Sequence, residues 1–172
     1  MARFKEQNVD IIIEKDSFSI FMKDLKDELN ISKAFVIATN SMDQNKVNHV
    51  FDNARIDTVM HVDSFVDPTE ESVQEAIELF KQSNANTIIG IGGGSVIDFA
   101  KAVVYFNLDN RPNLILIPTT YAGTELTKGF MIVRPDHTKK SVYDLSLIHI
   151  SEPTRPERIG FSGVFVEKKK GG

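Results

Sequence analysis

The chain has 172 residues, of which 41% are hydrophobic and 26% charged, with a net charge of -4; this is the composition of one globular domain with a sizeable core, not of a disordered chain. The mild charge excludes an electrostatic footprint for nucleic acid or an anionic membrane, and the absence of cysteine excludes disulfides, thiolate metal sites and cysteine nucleophiles. No apolar stretch is long enough to span a bilayer, and the polar Met1–Asp10 segment lacks the apolar run of a secretory signal, so a cytoplasmic location is expected.

Along the chain, short β-type runs alternate with amphipathic helical patterns. Asp10–Ile13 reads as a short strand, and residues 17–29 place Phe18, Phe21, Leu25 and Leu29 on one helical face. Ala34–Thr39 (AFVIAT) is a continuous apolar run, the mark of a strand covered on both faces. A helix carrying Val47, Val50, Phe51 and Ala54 follows, then a strand at Asp57–Val62. The next helix has Asp67 as its expected cap, Pro68 in its first turn, Glu70 as a capping-box carboxylate and Val73, Ala76, Ile77 and Phe80 as its buried stripe. Asn86–Ile91 is a strand, Ser95–Phe106 a helix, Leu114–Pro118 a buried strand, and Phe130–Val133 the start of a hairpin arm. Such alternation predicts an α/β fold, a Rossmann-like parallel sheet with helices on both faces, whose ligands bind beyond Thr39, Ile91 and Pro118 at the carboxyl ends of the strands.

Residues 1–144 form that expected domain. From Leu145 to Gly172 no sustained helical or strand period is present, and the run Ser146–Pro156 (SLIHISEPTRP) resembles a translated sequencing adapter. The expectation is therefore a non-native tail over 145–172, produced by an adapter or a frameshift.

The most informative segment is Gly92-Gly93-Gly94-Ser95, which leaves a strand and opens a helix. Adjacent glycines allow close backbone approach, and the first N–H groups of a helix attract a diphosphate. A plain tight turn is the structural alternative; three glycines and a serine between a strand and a helix favour phosphate, with Ser95 capping the helix or donating its hydroxyl. The spacing fits neither a Walker A loop nor G-x-G-x-x-G, because Ser95 stands at the last glycine's position.

The run GGGSVIDFAK (Gly92–Lys101) resembles the GGGS-x-x-D-x-A-K signature of the iron-containing alcohol dehydrogenases, and Pro118–Thr127 (PTTYAGTELT) resembles that family's PTT-x-GTGSE-x-T loop, one residue shorter. The resemblance runs from about residue 30 to 144. It implies an N-terminal domain that binds NAD or NADP, and a C-terminal helical domain, absent here, that carries most of the metal site. By resemblance, Gly92, Gly93, Gly94 and Ser95 hold the diphosphate, Thr119, Thr120 and Thr124 line the cleft, Lys140 lies near the cofactor, and Asp98 faces the nicotinamide end. Asn40 stands where many members carry a ribose-binding aspartate, which leaves both NAD and NADP open. Asp98 and Lys101, three apart, also read as a plain helix-surface pair. Glu14-Lys15-Asp16 replaces the glycine turn usual near the N-terminus.

The family's iron or zinc is held by one aspartate and three histidines. Of the histidines here, His49, His61, His137 and His149, none is paired at i, i+4, and core or surface roles are expected. The implied full-length activity is oxidoreduction of a small alcohol and its aldehyde or ketone, in a form that could be a homodimer, and the 172-residue chain is expected to be inactive alone. Glycerol dehydrogenases, maleylacetate reductases (suggested by Thr119–Gly123) and dehydroquinate synthases are alternative relatives. A non-catalytic nucleotide-binding module or an inert fragment is the alternative outside enzymes.

Overall fold

The computed structural model describes residues 2–6, 9–13, 18–65, 68–107, 112–120, 127, 129–143 and 164–167. Their elements are β1 (Ala2–Glu6), β2 (Val9–Ile13), α1 (Phe18–Leu29), β3 (Lys33–Thr39), α2 (Gln44–Asn53), β4 (Asp57–Asp63), α3 (Glu70–Ser83), β5 (Thr87–Gly92), α4 (Gly94–Phe106), β6 (Asn113–Pro118), β7 (Gly129–Val133), β8 (Lys139–Tyr143) and β9 (Val164–Glu167).

A seven-stranded sheet runs β1-β2-β9-β6-β5-β3-β4. Its β6-β5-β3-β4 portion is parallel, as the continuous apolar runs predict. Every residue of β5 and β6 is buried, as are Ala34–Ala38 of β3. Such strands need cover on both faces. Right-handed crossovers supply it by placing α1 and α2 in one layer and α3 and α4 in the other. Met22, Leu25, Val47 and Phe51 seal the first layer; Val73, Ala76, Ile77, Phe80 and most of α4 seal the second.

The other strands depart from the sequence reading. β1 forms a regular antiparallel hairpin with β2, with Phe4 opposite Ile11, although the polar start of the chain carries no strand signal of its own. β9 lies inside the segment expected to have no strand period. It inserts antiparallel between β2 and β6, pairing Phe165 with both Ile11 and Leu116. Four residues are too few to show a period, but the open edges of two neighbouring strands fix them by backbone pairing.

The start of α3 also differs. Its N-cap is Thr69, in extended conformation; Thr69 Oγ1 accepts the Ser72 N–H at 3.1 Å, and Ser72 Oγ accepts the Thr69 N–H at 3.1 Å. A hydroxyl three residues on thus completes the box in place of Glu70, which joins Glu71 in the first turn, where the helix dipole favours carboxylates. Asp67, the expected cap, lies outside the described residues.

β7 and β8 make a separate two-stranded sheet laid against the outer side of α4, where Phe130, Ile132 and Val142 are buried. Phe130 packs edge-on to Tyr105 and Phe106, with ring centroids 5.3 and 6.2 Å away. α4 is thereby enclosed between two sheets, which explains why Val96–Val104 are all buried; a helix apolar on every side requires this.

Candidate functional site

The chain passes from β3 outward to β4, then back across β3 to β5. The reversal leaves a crevice at the carboxyl ends of β3 and β5, the position at which open α/β sheets bind ligands. Three short segments lie there: Thr39–Ser41 at the end of β3, Gly92–Ser95 where β5 passes into α4, and Thr119–Thr120 after β6.

The glycines have distinct physical reasons. A Cβ on Gly92 would lie 2.7 Å from Val96 Cγ2 and 2.9 Å from Val96 Cβ, so glycine here lets α4 start directly off the strand. Gly93 is the N-cap of α4, with φ -78 and ψ -173, a conformation any residue adopts. What Gly93 keeps clear is space, because a Cβ there would stand 3.2 Å from Thr120 Oγ1. Having no side chain, it makes no side-chain cap. The positive end of α4 therefore opens into the crevice with no side-chain cap over it, as anion binding requires. Gly94 is the first helical residue. Ser95 is the second, so it sits inside the first turn and is not the cap that the sequence suggested.

Thr119 is tied to this turn, its N–H donating to Gly92 O at 2.9 Å, and both Thr119 and Thr120 are exposed. Asn40 is exposed at the end of β3, its N–H donating to Asp63 O at 3.1 Å. Beside it the hydroxyls of Thr39 and Ser41 are 2.7 Å apart. Sequence reading passed over these two; their signal was their place on either side of Asn40. Thr124 lies outside the described residues. Lys140 is exposed as the second residue of β8, opposite Ile132, and among the described residues no hydrogen bond or ion pair links it to the glycine turn.

Asp98 and Lys101 are not a surface pair. They are 5% and 0% exposed. Asp98 Oδ2 accepts the Met131 N–H at 3.2 Å, while Lys101 Nζ donates to Thr127 O at 2.8 Å and Gly129 O at 3.0 Å. Both side chains face the β7 hairpin.

Among the described residues no group of three His, Cys, Asp or Glu could hold a metal ion. His49 bonds Asn53 on α2, and His137 sits in the β7–β8 turn with φ 62. His61 of β4 stacks between Phe35 and Phe99, at 5.8 and 5.9 Å, beside a cavity of about 200 Å³ between β4 and α3. Burial lowers its pKa below 6.5, against the raising influence of Asp63 and Glu75. The folded state therefore binds fewer protons than the unfolded state between the lowered value and 6.5. This contribution to stability is complete above 6.5 and is lost as pH falls through that window. The melting temperature is accordingly expected to fall on acidification from pH 7.5 to about 5.5, and to fall less in His61→Gln; equal pH slopes for the two proteins in calorimetry would contradict this.

Comparison with known proteins places this geometry. A family profile described as iron-containing alcohol dehydrogenase matches residues 8–149, a span that includes the Glu14–Asp16 region where the resemblance looked weakest. A maleylacetate reductase of Pseudomonas knackmussii is 33% identical over 132 residues, covering 71% of this chain and 34% of that protein. The 1-propanol dehydrogenase PduQ of Salmonella typhimurium is 38% identical over 74 residues, covering 41% and 20%. The chain thus spans about a third of the length of that maleylacetate reductase and a fifth of that of the propanol dehydrogenase. Among solved structures, sulfoacetaldehyde reductase from Bifidobacterium kashiwanohense in complex with NAD+ shares the fold, with a TM-score of 0.73 at 18% identity over 84% of this chain and 43% of that one. Maleylacetate reductase from Agrobacterium tumefaciens does so with a TM-score of 0.68 at 21% identity over 84% and 39%.

Proposed function

The chain belongs to the iron-containing alcohol dehydrogenase family, and from that premise we propose that residues 1–144 bind the diphosphate of NAD or NADP at the glycine turn, as the cofactor half of an oxidoreductase that interconverts a small alcohol and its carbonyl. The observation that carries this reading is the N-terminus of α4, capped by no side chain and opening at the switch point beneath Thr120. The cofactor fits because Gly93 leaves open the space a side chain would fill. The nicotinamide, when bound, supplies the hydride chemistry. The chain's own residues bind and orient it: Gly92–Ser95 hold the diphosphate, Thr119 and Thr120 form the wall on the β6 side, and Asn40, with Thr39 and Ser41, offers hydrogen bonds to a ribose. Asn40 is neutral and repels a 2′-phosphate less than a carboxylate would, so NADP is admitted beside NAD. Thr124 and Lys140 remain proposed cofactor contacts on the family resemblance alone.

The metal implied by the family name does not fit the described residues, which bring together no ligand set. No step is assigned to it.

Fluorescence titration of the 172-residue chain with NADH and NADPH tests the reading. Saturable enhancement with at least one of them is expected; no response to either from a folded chain would overturn it. A second reading has one observation in its favour, since a relative matched over 71% of this chain is a maleylacetate reductase. Maleylacetate consumption by the full-length protein would select it over alcohol oxidation. The proposal that residues 145–172 are non-native rests on the adapter-like run Ser146–Pro156; the pairing of β9 with β2 and β6 and the family match reaching residue 149 stand against it, and resequencing the codons for Tyr143–Ser151 decides it.

A further inference from the structure

The two buried charges of α4 have no place in the site described above. We propose that Asp98 and Lys101 are positioning residues, which hold the free edge of β7 against α4 and so fix the far end of the Thr119–Thr127 connection whose near end is bonded to the glycine turn. This rests on the reading that the turn binds NAD(P).

The geometry is that of an edge strand clasped by side chains. In an antiparallel pair, alternate residues turn their backbone groups away from the partner strand. In β7 these are Gly129, Met131 and Val133. Gly129 O takes a bond from Lys101 Nζ, the Met131 N–H gives one to Asp98 Oδ2, and the Val133 N–H gives one to Pro68 O at 2.7 Å. The hairpin is therefore docked by its backbone polar groups as well as by Phe130 and Ile132.

Lys101 also holds Thr127 O. At the other end of the connection, Thr119 N–H holds Gly92 O, and Thr120 Oγ1 lies over Gly93. Both tethers thus belong to one β5–α4 unit, one at its start and one two turns along the helix. Buried ionic groups are costly unless hydrogen-bonded, and here backbone carbonyls and an amide meet them. Asp98 accordingly acts on the cofactor through the hairpin.

The test uses the purified 172-residue chain and reads NADH affinity by fluorescence beside amide hydrogen exchange at Met131. Lys101→Met and Asp98→Leu are each expected to weaken NADH binding about tenfold and to speed Met131 exchange, whereas Asp98→Asn, which keeps an acceptor oxygen, stays near the wild-type affinity. Phe51→Leu, on the opposite helical layer, serves as the control: it should lower the melting temperature and leave NADH affinity unchanged. Faster exchange with unchanged affinity in Lys101→Met would overturn the proposal and leave NADH binding standing. Absence of NADH binding by the wild-type chain would overturn both. Should the substituted chains fail to fold, the wild type decides, because coupling is reciprocal. Saturating NADH is then expected to slow Met131 exchange, and an unchanged rate would overturn the proposal.

Discussion

Gly90→Val is expected to cost the domain about 3 kcal/mol and lower its melting temperature by about 10 °C, or to prevent soluble expression altogether. Gly90 is in the middle of β5, and a Cβ built there would stand 2.8 Å from Ala100 Cβ and 3.3 Å from Leu116 Cδ2. The leucine can turn aside. The alanine carbon cannot, since it is fixed to the backbone of α4, so the helix itself must rise from the sheet. α4 has nowhere to go, because β7 and β8 cover its other side. Gly90→Ala should show the same effect at smaller size. A thermal melt followed by circular dichroism checks this, and an unchanged midpoint for the valine variant would mean that the layers slide more freely than their packing implies.

Gly93→Val separates stability from binding. The extended conformation of Gly93 suits any residue, and the nearest neighbour of a new Cβ is a threonine hydroxyl on an exposed segment, so little stability should be lost. Its branched methyl groups, however, project where the turn would receive a diphosphate. Charge-assisted hydrogen bonds to backbone N–H groups are among the stronger ones, and losing even one should weaken NADH binding about tenfold or more. Titration of a variant with a near-normal melting temperature checks this. Undiminished affinity would remove the glycine turn from the binding site.

The parallel core was legible because its signals are local. AFVIAT, TIIGI and LILIP are apolar without interruption, and the glycines between the second of these and α4 mark a turn by their own conformational properties. The roles of Asp98 and Lys101 were not legible, since two opposite charges three residues apart on a helix look the same whether water or a strand edge faces them. The uninterrupted apolar character of the rest of α4 was the available hint that every side of it was covered. Thr69 displaced Asp67 from the expected cap because capping depends on backbone conformation at one residue, and three good cap formers or helix starters stood in a row. β1 and β9 escaped notice for a different reason: their strand character comes from pairing with segments remote in the sequence.

That remoteness bears on the order in which the domain assembles. β3, β4, β5 and β6 join through crossovers of ordinary length, so their contacts close early and at modest entropic cost. Among the described strands, β1 and β2 reach the rest of the sheet only through β9, where Phe165 meets Ile11 on one side and Leu116 on the other. Two ends of the chain must therefore find a preformed edge before the sheet is complete. The N-terminal hairpin is the last part expected to fold and the first to open, and its amides should exchange through a local transition well below the free energy that opens β5.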